Sequence, residues 1–193
     1  MLGGYAVVVL VVITGGPASG KTTLVEAFAA RGYATVPEAA IQVIAELNEE
    51  LGLEEQKAWR LANRRAFQLR VLARQVELEG RALEMSAGRV VFLDRCRIDG
   101  LAYCRHFDEP APEELVASVG EVHYDRVFLL DTLPVVEDRS ATGRTSDRAA
   151  SLAIRATIEE VYVELGYEPI RVPVAPVEER LDGIAEALGL PKT

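Results

Sequence analysis

The chain has 193 residues, of which 49% are hydrophobic and 26% are charged, a composition typical of a single globular domain over residues 1–193. Its formal net charge of −9 at pH 7 argues against a surface that coats nucleic acid, so no nucleic-acid partner is expected. The two cysteines and two histidines lack the spacing of a zinc site. Two cysteines also cannot form a disulfide framework, so we expect buried thiols in a reducing compartment.

The first predicted element is a buried strand. Residues 6–14 form a continuous apolar run rich in β-branched side chains, as expected of a parallel strand that is covered on both faces. The run has no basic segment before it and is far shorter than the about 20 residues of a membrane span. We therefore expect a cytoplasmic protein with no membrane partner.

A complete phosphate-binding pattern follows this strand. Gly15, Gly20, Lys21 and Thr22 occupy the fixed positions of the Walker A motif Gly-x-x-x-x-Gly-Lys-Thr. Between a strand and a helix, such a loop points backbone N–H groups at phosphate oxygens; its Lys reaches the β- and γ-phosphates and its Thr ligates Mg²⁺. The predicted nucleotide-binding residues are Gly15, Gly16, Pro17, Ala18, Ser19, Gly20, Lys21, Thr22 and Thr23.

Strand and helix patterns alternate along the rest of the chain. Helical spacing follows the loop as far as Gly32. The later predicted strands cover residues 34–36, 89–94, 125–131 and 169–174. The later predicted helices cover residues 38–51, 53–86 (one long helix or a bent pair), 100–107, a segment near Leu115, and 177–188. This alternation predicts an α/β fold with a parallel sheet of about five strands and helices on both faces.

Two acidic residues are predicted at the carboxyl edge of this sheet. Asp94 ends the strand "VVFLD", and Glu38 follows the second strand. Ligands of α/β proteins bind at this edge, so Asp94 is expected to orient Mg²⁺ or to accept a proton from a substrate hydroxyl. The alternatives are structural: Asp94 caps the next turn, and Glu38 is a helix N-terminal carboxylate stabilised by the helix dipole.

Arginines mark two further regions. Arg139, Arg144 and Arg148 occupy a polar stretch after the fourth strand, which predicts a lid over about residues 138–150 that neutralises charge on a transferred phosphoryl group. The alternative is a surface loop. On the long helical segment, a second set is predicted either to capture an anionic or hydroxylated acceptor or to form a solvated face. That set comprises Arg60, Arg64, Arg65, Arg70 and Arg74, with Gln68 on the same stripe and Trp59, Phe67 and Tyr103 as candidate stacking or core residues.

Several segments resemble known kinases. "FLDRCRIDGLAY" is similar to the Asp-Arg segment of thymidylate and deoxynucleoside kinases, and "LLDTLPVVEDRSATGRTSDR" resembles the strand, helix and lid of small-molecule kinases. The ordered set from Ile13 to Asp182, including "VPEAA", "FLDR", "ELGYE" and "PVEER", resembles bacterial predicted ATPases of AAA type, which are related to the nicotinamide riboside kinase domain. The chain departs from that group at Ile41, where related sequences often carry arginine.

The resemblance implies a P-loop NTPase fold, a three-layer sandwich with strand order 2-3-1-4-5. It also implies catalytic roles for Lys21, Asp94, Glu38, Arg139 and Arg144, with Glu38 as a base or hydroxyl-binding group. The adenine is expected near residues 173–177.

The expected function is transfer of the γ-phosphate of Mg·ATP to a small, hydroxyl-bearing, nucleoside-like metabolite. The alternative is a regulatory ATPase that acts through a protein partner. Arg95 stands where motor ATPases carry glutamate, and the Asn-Lys-x-Asp motif of guanine-specific proteins is absent from the sequence. The sequence leaves open the acceptor, the choice of nucleoside triphosphate, the oligomeric state, and whether Glu38 or Asp94 is the base.

Overall fold

A computed structural model describes residues 8–86, 89–134 and 148–191. Its strands are β1 (Val9–Gly15), β2 (Ala34–Val36), β3 (Val90–Asp94), β4 (Arg126–Leu130) and β5 (Ile170–Val172). Its helices are α1 (Lys21–Ala30), α2 (Ala39–Leu51), α3 (Leu53–Ala62), α4 (Arg64–Met85), α5 (Arg97–His106), α6 (Glu113–Val119), α7 (Arg148–Glu164) and α8 (Val177–Ala187).

The five strands form one parallel sheet in the order β2-β3-β1-β4-β5. This confirms the predicted α/β fold and strand order. The register places Ile13 beside Asp94 on β3 and Gly15 beside Leu130 on β4. Because all strands run in the same direction, the glycine-rich loop and Asp94 emerge at the same edge of the sheet.

The sheet is covered on both faces, which completes the three layers. Val12 of β1 packs in a cluster with side chains of α5 and α7, such as Ile98 and Ile158. Its neighbour Val11 faces the opposite layer, where it lies in a cluster with α1 and α8. Both valines are fully buried. The uninterrupted apolar sequence of β1 therefore reflects burial on alternating faces rather than a one-sided strand.

The long helical segment over residues 53–86 is a bent pair of helices, α3 and α4, which was one of the two predicted alternatives. Asn63 interrupts it with a non-helical backbone, and its side-chain amide donates to the carbonyl of Trp59 at 2.9 Å. On α4, Arg70 pairs with Glu50 and Arg74 with Glu46, both on α2. These two arginines fasten neighbouring helices together, which favours the structural interpretation for them.

Near the sheet edge, one helix begins earlier than predicted and another helix was not predicted. Helix α5 begins at Arg97 rather than at residue 100, because the Asp99 carboxylate accepts a hydrogen bond from the Cys96 N–H at 3.1 Å and caps the first turn. Helix α7 begins at Arg148, inside the segment predicted as a lid. Arg139 and Arg144 lie outside the described residues. Both cysteines are buried and free.

Across the described part of the chain, no helix is both long and apolar enough to cross a membrane.

Candidate active site

The glycine-rich loop between β1 and α1 is held in a backbone conformation that requires glycine at two positions. Gly15 has φ 145° and Gly20 has φ 83°, values that side-chain-bearing residues rarely adopt. Gly16 is restricted for a different reason: a Cβ there would overlap the carbonyl of Ser151 on α7. The hydroxyl of Ser151 in turn donates to the carbonyl of Pro17. Helix α7 thus packs directly against the loop.

Lys21 is folded back over the loop from the first turn of α1. It is only 5% exposed, and its Nζ donates to the Gly16 carbonyl at 2.8 Å and to the Ser19 hydroxyl at 3.3 Å. The ammonium is therefore positioned at the concave side of the loop, where phosphate oxygens are bound in loops of this type.

Thr22 and Asp94, the two residues proposed as Mg²⁺ ligands, meet across the edge of the sheet. The Thr22 hydroxyl donates to Asp94 Oδ2 at 2.7 Å. Asp94 is 1% exposed, and its other oxygen, Oδ1, has no hydrogen-bond partner among the described residues. Burial, and next the negative charge of Glu38, raise the pKa of Asp94 to about 6.

The pair fits a magnesium ion. A buried carboxylate oxygen without a partner is unfavourable alone, and a cation beside it would satisfy it. Mg²⁺ is commonly held by one or two protein oxygens together with water and substrate phosphates. In keeping with such a sparse site, residues 8–86, 89–134 and 148–191 contain no group of three or more His, Cys, Asp or Glu that could hold a metal.

Arg95 lies next to Asp94 and turns towards a second region of the site. Its backbone is left-handed, with φ 69°. One guanidinium nitrogen donates to Asp99 Oδ1 at 2.8 Å, and Nε lies 3.5 Å from Glu38 Oε1. The Nε and Nη2 atoms of this 5% exposed side chain make no hydrogen bond within the described residues. Glu38 is also buried, so two acids and an arginine face one another in a low-dielectric environment.

These residues line one end of a cavity of about 540 Å³ between α2, α3, α4 and α5. Of the residues proposed for acceptor binding, the cavity wall contains Arg60, Arg64, Arg65, Phe67, Gln68 and Tyr103. Trp59 is not part of the wall. The centre of its ring lies 5.3 Å from the guanidinium carbon of Arg70. Ile41, the position at which related sequences often carry arginine, is also outside the wall.

Two contacts to the loop were not predicted. Arg180 on α8 is buried and donates to the carbonyl of Ser19 at 3.0 Å, and Ser151 contacts Pro17 as described above. Arg180 belongs to the "PVEER" segment, so the resemblance included this residue but did not indicate its contact with the loop. Residues 173–176, where the adenine is predicted, connect β5 to α8 at the same edge of the sheet.

Arg180→Ala is expected to weaken Mg·ATP binding by about tenfold, because a hydrogen bond from a charged group contributes about 1.5–3 kcal/mol and its loss frees the Ser19–Gly20 turn. Arg31→Ala is the matched control, since Arg31 pairs with Asp182 of the same helix α8 at 3.4 Å without touching the loop. Isothermal titration calorimetry with Mg·AMP-PNP checks this. Equal affinities for the two variants would contradict the positioning role.

Comparisons with known proteins agree with the observed fold. The sequence profile of a family described as an AAA domain matches residues 10–180. No curated protein matches the chain.

Among solved structures, the NadR protein in complex with NR is similar with a TM-score of 0.67 at 17% identity, over 98% of this chain and 51% of NadR, so the chain spans about half of that protein's length. Deoxyadenosine kinase from M. mycoides gives a TM-score of 0.58 at 14% identity, with 93% of this chain and 98% of the kinase covered. Thymidylate kinase from Candida albicans gives 0.60 at 15% identity, with 96% and 92% covered. At these identities the likeness is one of fold.

Proposed function

Since the chain belongs to the AAA domain family and is a P-loop NTPase, we propose that it transfers the γ-phosphate of Mg·ATP to a small, hydroxyl-bearing, nucleoside-like metabolite. The observation that carries the proposal is the cavity of about 540 Å³ that opens beside the glycine-rich loop and ends at Glu38 and Arg95. An enzyme that only hydrolyses ATP needs room for one water molecule, whereas this volume accommodates a whole metabolite.

On the nucleotide side, the loop residues Gly15 to Thr23 would surround the phosphates. Lys21 would contact the β- and γ-phosphates, and Thr22 with Asp94 would hold Mg²⁺, which would neutralise phosphate charge when bound. We retain Arg139 and Arg144 as the arginines that would stabilise the transferred phosphoryl group. In this reaction, catalysis comes chiefly from positioning and electrostatic stabilisation.

On the acceptor side, Glu38 is the better candidate for the base. It lines the cavity, whereas Asp94 does not and already accepts from Thr22. In the proposed step the acceptor oxygen bonds to the γ-phosphorus as the bond to the β,γ-bridging oxygen breaks. ADP leaves, and the hydroxyl proton passes to Glu38. Arg95, whose Nε lies 3.5 Å from Glu38 Oε1, would orient the carboxylate.

The first test is Mg·ATP consumption by the pure protein, alone and with a panel of nucleosides and other hydroxylated metabolites. Strong stimulation by one class, with a phosphorylated product, supports phosphotransfer and names the acceptor. A low basal rate that no candidate changes would contradict it and would favour a regulatory ATPase, whose protein partner would then be sought.

Glu38→Gln is expected to lower kcat for acceptor phosphorylation by about 10²–10⁴-fold, the usual contribution of a general base. The Kd for Mg·ATP should change less than kcat, because Glu38 lines the acceptor cavity whereas the proposed magnesium ligand Asp94 does not. Glu49→Gln, an exposed substitution on helix α2, which Glu38 directly precedes, is the control and should match the wild type. Steady-state kinetics with the stimulating acceptor measure both. An unchanged kcat in Glu38→Gln would remove Glu38 from the chemistry.

A further inference from the structure

Asp99, in the first turn of α5, is a buried carboxylate in the wall of the acceptor cavity. It accepts four hydrogen bonds. Oδ1 accepts from the Thr14 hydroxyl at 2.5 Å and from Arg95 Nη1 at 2.8 Å. Oδ2 accepts from the Tyr162 hydroxyl at 2.8 Å and from the Cys96 N–H at 3.1 Å. Because these donors belong to β1, to the turn after β3 and to α7, the carboxylate is fixed in position by three parts of the fold.

The two oxygens of Asp99 have different neighbours. Capping of α5 requires one acceptor, which Oδ2 provides to the Cys96 N–H. Oδ1 takes no part in the cap. It accepts instead from Arg95 and from Thr14, the residue that directly precedes Gly15 of the glycine-rich loop. Helix capping therefore does not explain why this carboxylate binds an arginine in the cavity wall.

The guanidinium group of Arg95 is bound to Asp99 through Nη1 alone. The Nε–H and one Nη2–H lie on another edge of the guanidinium plane, which is the edge that can bind a carboxylate through two hydrogen bonds. On this edge Nε lies 3.5 Å from Glu38 Oε1, and neither Nε nor Nη2 makes a hydrogen bond within the described residues. Asp99 thus holds the guanidinium from one side while the Nε–Nη2 edge is directed to Glu38.

A second buried carboxylate provides a comparison within the same protein. Glu79 on α4 is 1% exposed, and it accepts from Arg97 at 2.9 Å, from Gln75 at 2.9 Å and from the Tyr124 hydroxyl at 3.0 Å. It resembles Asp99 in its burial and in having an arginine and a tyrosine as partners. Neither Glu79 nor Arg97 belongs to the cavity wall. If both carboxylates were purely structural, neutralising either one would have the same consequences.

We propose that Asp99 is a positioning residue, which holds Arg95 so that the Nε–Nη2 edge of its guanidinium faces Glu38, the proposed base. Through its hydrogen bond with Thr14, the same carboxylate connects this arrangement to the strand that carries the glycine-rich loop. The assignment rests on the proposed phosphotransfer, in which Glu38 receives the acceptor proton. It adds a residue that acts on the reaction through Arg95 without contacting the reacting atoms.

Asp99→Asn is expected to lower kcat by about 10–100-fold, the loss typical when a group that orients a site ligand is removed. The donating end of the amide would face either Arg95 or the Cys96 N–H, and neither can accept a hydrogen bond. The substrate is the panel nucleoside that gives the highest rate. Glu79→Gln is the matched control, and it should keep kcat although both variants lower the thermal unfolding midpoint. An unchanged kcat in Asp99→Asn, or an equal loss in Glu79→Gln, would overturn the inference.

A double-mutant cycle shows whether Asp99 acts through Arg95. Arg95→Lys keeps a positive charge beside Asp99 but lacks the Nε–Nη2 edge, so it should lower kcat by a similar factor. Adding Asp99→Asn to Arg95→Lys should then reduce kcat by less than about threefold more, because the two residues act as a unit. Losses that multiply in the double variant would overturn the inference, since the residues would then act independently.

Proton exchange at Arg95 Nε tests the positioning without turnover. It is measured by NMR on isotopically labelled, ligand-free protein, and the signal is assigned by its absence from Arg95→Lys. Exchange should be slow in the wild type and in Glu79→Gln, and at least about tenfold faster in Asp99→Asn, where the guanidinium is released. Asp99→Ser has the same expected results and replaces Asp99→Asn if that variant does not fold.

The NMR outcomes separate this inference from the proposed function. Exchange in the wild type as fast as that of the exposed Arg81, or an unchanged rate in the Asp99 variants, would overturn the positioning role even in an active kinase. Faster exchange in the Asp99 variants of a protein that phosphorylates no acceptor would support the positioning of Arg95 and would contradict the proposed function alone.

Discussion

Lys21→Ala is expected to lower Mg·ATP turnover by at least about 10²–10³-fold, the cost typical of removing one preorganised donor to a developing negative charge. Lys21 is buried, and its ammonium donates to the Gly16 carbonyl and the Ser19 hydroxyl. No other residue of the loop, residues 15–23, is basic. The variant should also bind Mg·ATP more weakly, because it lacks the cation beside the β- and γ-phosphates. Calorimetry and an ATP-consumption assay measure the two effects separately.

Arg81→Ala provides the control for the loss of one basic side chain, since Arg81 is an exposed residue of α4 outside the cavity wall, and it should behave as the wild type. The thermal unfolding midpoint of each variant shows whether a loss of activity reflects misfolding. If folded Lys21→Ala binds and consumes Mg·ATP as well as the wild type, the loop is not the nucleotide site.

The fold followed from the sequence because its signals are local. Continuous apolar runs such as residues 90–94 identify strands buried on both faces. The motif at the end of β1 then fixes which edge of the sheet binds ligand. Helix α7 was not predicted as an element, although Ile154, Ile158 and Val161 recur at helical spacing and are buried. Residues 148–150 adjoin the polar stretch that was predicted as a lid, and they were therefore assigned to that loop.

The site could be predicted only where it depends on motifs. Thr22 was proposed as a Mg²⁺ ligand from its motif and Asp94 from its place at the end of a strand, and their side chains form a hydrogen bond of 2.7 Å. Arg95 and Arg180 depend on tertiary structure: a left-handed backbone at Arg95 turns its side chain into the cavity, and Arg180 reaches Ser19 from an element 161 positions away. Neither conformation has a signal in residue spacing.

Asp94→Asn is expected to separate stability from activity. In the folded protein the pKa of Asp94 is raised from its ordinary 3.8 to about 6, first by burial and then by Glu38. Between these values the folded state binds more protons than the unfolded state, so the free energy of unfolding of the ligand-free protein falls as pH rises from about 4 to about 6, by no more than about 3 kcal/mol. This penalty persists at higher pH, and the neutral asparagine avoids it.

Ligand-free Asp94→Asn should therefore be at least as stable as the wild type at pH 7.5 and should lose the part of the pH dependence that Asp94 causes. Its Mg·ATP turnover should nevertheless fall by about 10²-fold or more, because an amide replaces the charged ligand proposed for Mg²⁺. In the wild type, apparent Mg²⁺ affinity should decline as pH falls through about 6. Urea unfolding between pH 4.5 and 7.5, with turnover at varied Mg²⁺, tests both.

Glu38→Gln distinguishes the two carboxylates in the same experiment. Because the charge of Glu38 is the second cause of the raised Asp94 pKa, its removal should shift the pH dependence of Mg²⁺ affinity to lower pH while the metal site remains. Asp94→Asn should instead abolish that dependence. If Asp94→Asn keeps full activity, Asp94 is a structural cap and Mg²⁺ is held without it. If both variants lose activity but only Glu38→Gln retains Mg²⁺ affinity, the metal ligand and the base are different residues. The structure favours this division, because Asp94 accepts a hydrogen bond from Thr22 whereas Glu38 lines the cavity.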